Sequence, residues 1–301
     1  MTTGQEKDPL LRALTIVLPL FSVCGKIVNM KSEELEFVSK LTGIAPERIE
    51  FSDDGFLSRG YIIDGGHIVF KFKKWPEISY KNEIKTLRTI SSLDLGASLQ
   101  SVGWTSDADK YLGLYGIVGE TIKKNPSGFG EQIGVFLKNL HAIDFKDARP
   151  VSLEDEFSIW TGRFSRSKDV LARYFSEEEI KKMEEFVTIT AKKELEALGE
   201  KPVFSHGDFC LGNIFVDNTG KIGIIDFSEA GLIDEAVDFM DMEDDELCER
   251  VLDTYGADET LRQKVAIRRA AHPMFTIGTY RDREESEREY FVNKIKAWLN
   301  S

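Results

Sequence analysis

Residues 206–226 read H-G-D-F-C-L-G-N-I-F-V-D-N-T-G-K-I-G-I-I-D, from His206 to Asp226. A short apolar run, P-V-F-S, precedes His206. N-I-F-V is a second run, D-N-T-G a turn, and K-I-G-I-I a third run that ends on Asp226. The pattern predicts one loop carrying Asp208 and Asn213, followed by a hairpin that returns Asp226 to the same edge. Transfer of a γ-phosphoryl group asks a protein mainly for positioning and charge neutralisation. One carboxylate must orient the attacking hydroxyl and take its proton, while a carboxylate and an amide oxygen hold magnesium, a hard ion that prefers oxygen ligands. Asp208 fits the first role, Asn213 and Asp226 the second. Each residue alone has a structural explanation, as a turn-closing Asp, a strand cap and a strand-end carboxylate. Together, in this order and spacing, they point to phosphoryl transfer. His206 is expected to orient the loop through a hydrogen bond. It has no second His or paired Cys nearby at metal-ligand spacing.

The loop and its surroundings resemble a known family. H-G-D-x-x-x-x-N followed by I-D-F-S is similar to the signature of the aminoglycoside phosphotransferases, antibiotic kinases of the protein-kinase-like fold. F-L-K-N-L-H-A-I-D-F at 136–145 resembles that family's helix-ending Leu-His-x-Ile-Asp segment, and I-I-D-F-S-E-A-G-L-I-D-E-A-V-D-F at 224–239 its metal-binding strand and following loop. The resemblance runs from about Met30 onward. It implies an α+β, protein-kinase-like two-lobe fold, with an antiparallel N-terminal sheet lobe and a mainly helical C-terminal lobe. It also implies Asp208 as catalytic base and Asn213 and Asp226 as magnesium ligands. One departure is Ser228, where the family commonly has Gly two residues after the metal-binding Asp.

A kinase also needs a nucleotide cradle, and residues 48–72 offer one: strand, small-residue loop, strand, D-G-G turn, strand. Gly55, Ser58 and Gly60 would form the loop over the phosphates, where short side chains let backbone N–H groups approach the oxygens. Lys71 sits inside the apolar V-F-K-F, where a free ammonium is costly unless paired. Lys73 and Lys74 are alternatives, but the place between Phe70 and Phe72, matching the family's V-x-K-x position, favours Lys71. Its expected partner is Glu83, on a helix marked by Ile84, Leu87 and Ile90. Residues 111–120 read as a strand and hinge, where a purine base would meet backbone around Tyr115 to Ile117.

The 301 residues, 42% hydrophobic, suit one or two domains. We expect an extension over 1–29, non-native or a misassigned start, then a nucleotide-binding lobe over 30–117 and a catalytic, substrate-binding lobe over 118–301. The apolar run at 13–23 is too short to span a bilayer comfortably and lacks an A-x-A cleavage site, and the nucleotide pool is cytoplasmic, so a cytoplasmic location is expected. Cys24, Cys210 and Cys248 form no C-x-x-C pair. The net charge of −13 is concentrated after Asp226, from Glu229 to Glu249. Such a field repels nucleic acid and attracts a cationic small molecule, although the same carboxylates also suit a solvated helix face. Glu229 and Asp244 are the candidate amine-binding residues, and Asp238 is expected to stabilise the loop itself. Trp160, Tyr280 and Trp298 are candidates for stacking on a sugar.

The expected activity is magnesium-dependent transfer from ATP or GTP to a hydroxyl of an aminoglycoside, by a monomer with no membrane partner. The alternatives are a macrolide, choline, methylthioribose or other metabolite kinase of the same fold, and a catalytically silent nucleotide-binding module.

Overall fold

In a computed structural model of the protein, the residues described are 24–53, 57–106, 109–124, 126–145 and 150–301. Gly55 and most of the extension expected at 1–29 lie outside them. The elements run α1 (Cys24–Thr42), β1 (Ile49–Ser52), β2 (Ser58–Ile63), β3 (Ile68–Lys73), α2 (Lys81–Ile90), β4 (Ser98–Leu99), β5 (Ser101–Thr105), β6 (Tyr111–Tyr115), β7 (Glu120–Thr121), α3 (Gly130–His141) and α4 (Leu153–Leu171). Then follow α5 (Glu177–Glu185), α6 (Ala191–Leu198), β8 (Pro202–Ser205), β9 (Ile214–Val216), β10 (Ile222–Ile224), β11 (Gly231–Asp234), α7 (Asp245–Tyr255), α8 (Glu259–Thr276) and α9 (Glu285–Leu299).

The chain divides into two compact units, the first holding residues up to Lys124 together with Gly212–Glu229, the second Asn125–Leu211 and Ala230–Ser301. This division is discontinuous, unlike a contiguous split at residue 117. The cause is strand pairing: β9 and β10 join β4 and β7 in a four-stranded sheet ordered β4-β10-β9-β7, so the hairpin after residue 212 packs with the first unit.

The other sheet of the first unit is antiparallel, ordered β1-β2-β3-β6-β5. The D-G-G turn between β2 and β3 forms as expected, with Asp64, Gly65 and Gly66 all at positive φ. Strand alternation sends Phe70 and Phe72 to one face and Lys71 to the other. The aromatic face is partly covered by α1, whose Phe37 ring lies 4.9 Å from Tyr111 and 6.1 Å from Phe72. Glu34 of α1 accepts from Arg59 and from the Tyr61 hydroxyl, pinning the helix to β2.

The second unit is helical around a core that includes Phe157, Phe164, Met183, Phe275 and Phe291. Capping boxes start α4 at Ser152, with Asp155, and α5 at Ser176, with Glu179. A π-helical turn, Phe186–Thr190, joins α5 to α6, which ends at Gly199; α7 ends at Gly256, left-handed at φ +86°. A proline inside a helix usually ends or kinks it, but α8 continues through Pro273 to Thr276. Proline costs one backbone bond, and burial of Ala271, Met274 and Phe275 on the same stretch outweighs it. Trp160 is also no surface platform: it is 3% exposed and stacks on Phe275 in the core. Trp298 and Tyr280 are half-buried, their rings tilted against Phe186 and Phe291. Among the described residues, no helix is long and apolar enough to cross a membrane.

Candidate active site

In the first unit, β3 presents Lys71 to α2. Its Nζ lies 2.9 and 3.0 Å from the two carboxylate oxygens of Glu83 and 2.9 Å from Oδ1 of Asp226, far along the chain. Glu83 is 1% exposed. Burial pulls the ammonium of Lys71 towards neutrality, but Asp226 and Glu83 outweigh it and hold its pKa above the ordinary lysine value. Burial pushes the Glu83 carboxyl up, against the pull of Lys71. The lysine therefore stays charged between two carboxylates.

The β9–β10 hairpin sets the metal-ligand candidates. Asp217 closes its turn by accepting from the Thr219 and Lys221 amides, and Gly220 takes φ +85°. Beyond the paired strands, the Ile225 amide donates to the Asn213 carbonyl at 3.0 Å, so Asn213 and Asp226 share one end of the hairpin. Asp226 is itself left-handed, at φ +64°, a conformation uncommon outside glycine and one that clusters at functional sites. Ser228 has no positive φ, so the turn makes no demand for glycine there. Ser58 opens β2, and its hydroxyl lies 2.9 Å from that of Tyr80. Tyr115 ends β6 with its side chain against Trp104, on the sheet face opposite Lys71. Ile117 packs over Gly223 of β10, where a Cβ would approach to 2.4 Å. Glu229 is half-buried at the end of this unit.

In the second unit, Asp208 is exposed in the loop after β8. The preceding backbone is held by Asp238, whose Oδ2 accepts from the His206 amide at 2.8 Å and whose Oδ1 accepts from the Gly207 amide at 2.9 Å. His141, at the end of α3, lies 2.9 Å from the same Oδ2 through Nε2, and its Nδ1 is 2.9 Å from the Tyr255 hydroxyl. Burial alone would raise the Asp238 pKa; hydrogen bonding and charge from His141 and His206 reverse this and hold it below the usual carboxylate value. The fully buried His206 accepts from the Asp208 amide through Nδ1 at 3.3 Å, the orienting role its position predicts. Tyr255 and the network through His141 carry no sequence signal beyond the Leu-His segment, because α3 and α7 meet only in the folded chain.

The acidic stretch is largely spent inside this unit. Asp234 lies 2.8 Å from Lys264 and 3.2 Å from Arg268; Glu235 is 2.6 Å from Lys201, and Glu249 is 2.7 Å from Arg262. Asp245 pairs with Lys294 and Arg269, and Glu246 with Arg250. Asp244 caps α7, accepting from the Leu247 amide at 2.6 Å. Much of the charge expected to form an open field is thus neutralised locally.

The sequence model of the phosphotransferase enzyme family matches residues 53–272. The chain belongs to that family. No curated protein matches it in sequence. Among solved structures, it is similar to an aminoglycoside phosphotransferase, APH(2")-IIia, in complex with GDP and kanamycin (16% identity, 87% of this chain and 98% of that one, TM-score 0.67). It is similar to macrolide 2'-phosphotransferase MphH from Brachybacterium faecium (15%, 87% and 98%, 0.57) and to choline kinase from Cryptosporidium parvum Iowa II (14%, 90% and 94%, 0.61). The fold is therefore the α+β, protein-kinase-like fold of these phosphotransferases.

The family implies a magnesium ion, and the donor chemistry fits one. Asn213 and Asp226 offer hard oxygen donors at one hairpin end. Among the described residues no cluster of three or more His, Cys, Asp or Glu could form an all-protein cage. Magnesium at phosphates needs only one or two such ligands, completed by water and substrate oxygens.

Proposed function

We propose that this phosphotransferase moves the γ-phosphoryl group of ATP or GTP to a hydroxyl of an aminoglycoside. Asp208 orients the hydroxyl and accepts its proton, its loop fixed by Asp238 and His206. Lys71, steadied by Glu83, binds phosphate oxygens, with Ser58 and the backbone from Tyr115 to Ile117 contributing to nucleotide binding. Asn213 and Asp226 would hold magnesium, which when bound neutralises charge on the phosphates. Glu229 and Asp244 are the proposed partners of substrate amines. The observation that carries the reading is the placement of the Lys71 ammonium within 3.0 Å of both Glu83 and Asp226. A lysine already paired on two sides is charged and preorganised for phosphate, and a silent nucleotide-binding module would have no need of Lys71, Asp208, Asn213 and Asp226 together.

A second reading, a macrolide or small-metabolite kinase, draws support from the neutralised acids. With Asp234, Glu235, Asp245, Glu246 and Glu249 all paired to cations, the attraction for a polyamine is weaker than the sequence charge suggests. One panel separates the readings: the full chain with Mg-ATP or Mg-GTP and aminoglycosides, macrolides, choline and methylthioribose, scored by mass gain of the acceptor. A phosphorylated aminoglycoside, lost in Asp208→Ala, supports the first reading. Transfer confined to another acceptor selects the second, and nucleotide binding without any transfer contradicts both.

A further inference from the structure

The first turn of α2 does more than carry Glu83. Asn82 donates from Nδ2 to the Ser228 carbonyl at 2.9 Å, two residues beyond Asp226. Glu83, its neighbour in sequence, grips Lys71, which in turn holds the Asp226 carboxylate. One helical turn thus holds Asp226 from two sides, its side chain through Glu83 and Lys71 and its following backbone through Asn82. The turn is itself anchored: the Tyr80 amide donates to both oxygens of Asp109 at 3.0 and 2.9 Å, and the Tyr80 hydroxyl meets Ser58. Asp226 sits at φ +64°, so its backbone relies on its surroundings to stay where it is. Asn82 is half-buried on a helix that runs on to Ile90, and helix formation gives no reason for Asn there.

Resting on the proposed function, we propose that Asn82 is a positioning residue for the magnesium site, fixing the turn after Asp226 through the Ser228 carbonyl. A released carbonyl lets that turn relax and Asp226 lose its aim, while the phosphate contact of Lys71 stays in place. Asn82 therefore acts on the metal-linked part of nucleotide binding and leaves the metal-free part alone.

The experiment is calorimetric titration of ATP and GTP into the full chain, in EDTA and in magnesium chloride, for the unaltered protein, Asn82→Ala and Asn82→Asp. Thermal unfolding of each confirms the fold, and the half-buried position makes Ala compatible with the helix. The expected result is a metal-free Kd within about twofold of the unaltered protein in both variants, and a gain in affinity on adding magnesium that is smaller by about three- to tenfold, the range of one hydrogen bond. Asn82→Asp, which sets a carboxylate against the carbonyl, should lose at least as much as Ala. An unchanged magnesium gain, or an equal loss with and without the metal, overturns the proposal while the functional reading stands. Failure of the unaltered protein to bind nucleotide in either buffer overturns both.

Discussion

Asp238→Asn is the substitution whose effect the geometry sets most tightly. The carboxylate takes three donors with two oxygens: the His206 amide and His141 Nε2 on Oδ2, the Gly207 amide on Oδ1. An asparagine offers one acceptor oxygen and turns an NH2 group towards at least one of these donors. Asp238 is fully buried, so no water replaces the lost acceptor. A buried donor left unsatisfied costs about 1–3 kcal/mol, and we expect a stability loss in that range by urea denaturation. Asp208 is two residues from His206, and a displacement of about 1 Å at a reacting group costs on the order of a hundredfold in rate. The kcat should fall by about that factor. The KM for nucleotide should stay near its original value, because Lys71, Glu83 and Asp226 belong to the other unit. A stability loss below about 1 kcal/mol with kcat within about threefold would refute the role given to Asp238.

Lys71→Met removes the cation between Glu83 and Asp226; one charged phosphate contact of about 1.5–3 kcal/mol predicts roughly ten- to hundredfold weaker nucleotide binding by calorimetry, and unchanged affinity would contradict the assignment. His272 is buried, and burial, with Arg163 and Arg269 nearby, drives its pKa down to about 3 even though Asp241 lies 3.5 Å away. The unfolded chain, at about 6.5, then binds the proton first, so stability is full above pH ~6.5 and falls as the pH drops towards 3, with a slope approaching ~1.4 kcal/mol per pH unit. Denaturation midpoints between pH 7.5 and 5 should show this slope and His272→Leu should flatten it; equal slopes would remove His272 as its source.

Geometry confined to a few neighbouring residues was legible in the sequence. Asp208, Asn213 and Asp226 lie within 19 residues of one another, and apolar runs with a D-N-T-G turn dictate the hairpin that sets Asn213 and Asp226 at one end. Lys71 and Glu83 could be paired because a cation inside an apolar strand demands a partner. Long-range partners were not legible. Nothing local marks Asn82 for Ser228, 146 residues away, or His141 for Asp238, 97 residues away. The partners of the acidic stretch were not legible for a related reason: its cations, Lys264, Arg269 and Lys294, lie on α8 and α9. Trp160 and Pro273 show packing overriding local preference, the first drawn into the core by Phe157 and Phe275, the second carried inside α8.

The central claim is that Asp208 drives phosphoryl transfer to a small-molecule hydroxyl. Its most direct measurement is mass-spectrometric detection of a phosphorylated aminoglycoside after incubation with the full chain and Mg-ATP or Mg-GTP, run beside Asp208→Asn, which keeps the size and exposure of the side chain but removes its base. We expect phosphorylated product from the unaltered protein and a rate at least about a hundredfold lower from the variant, with nucleotide affinity retained in both. Equal rates from the two proteins would contradict the account.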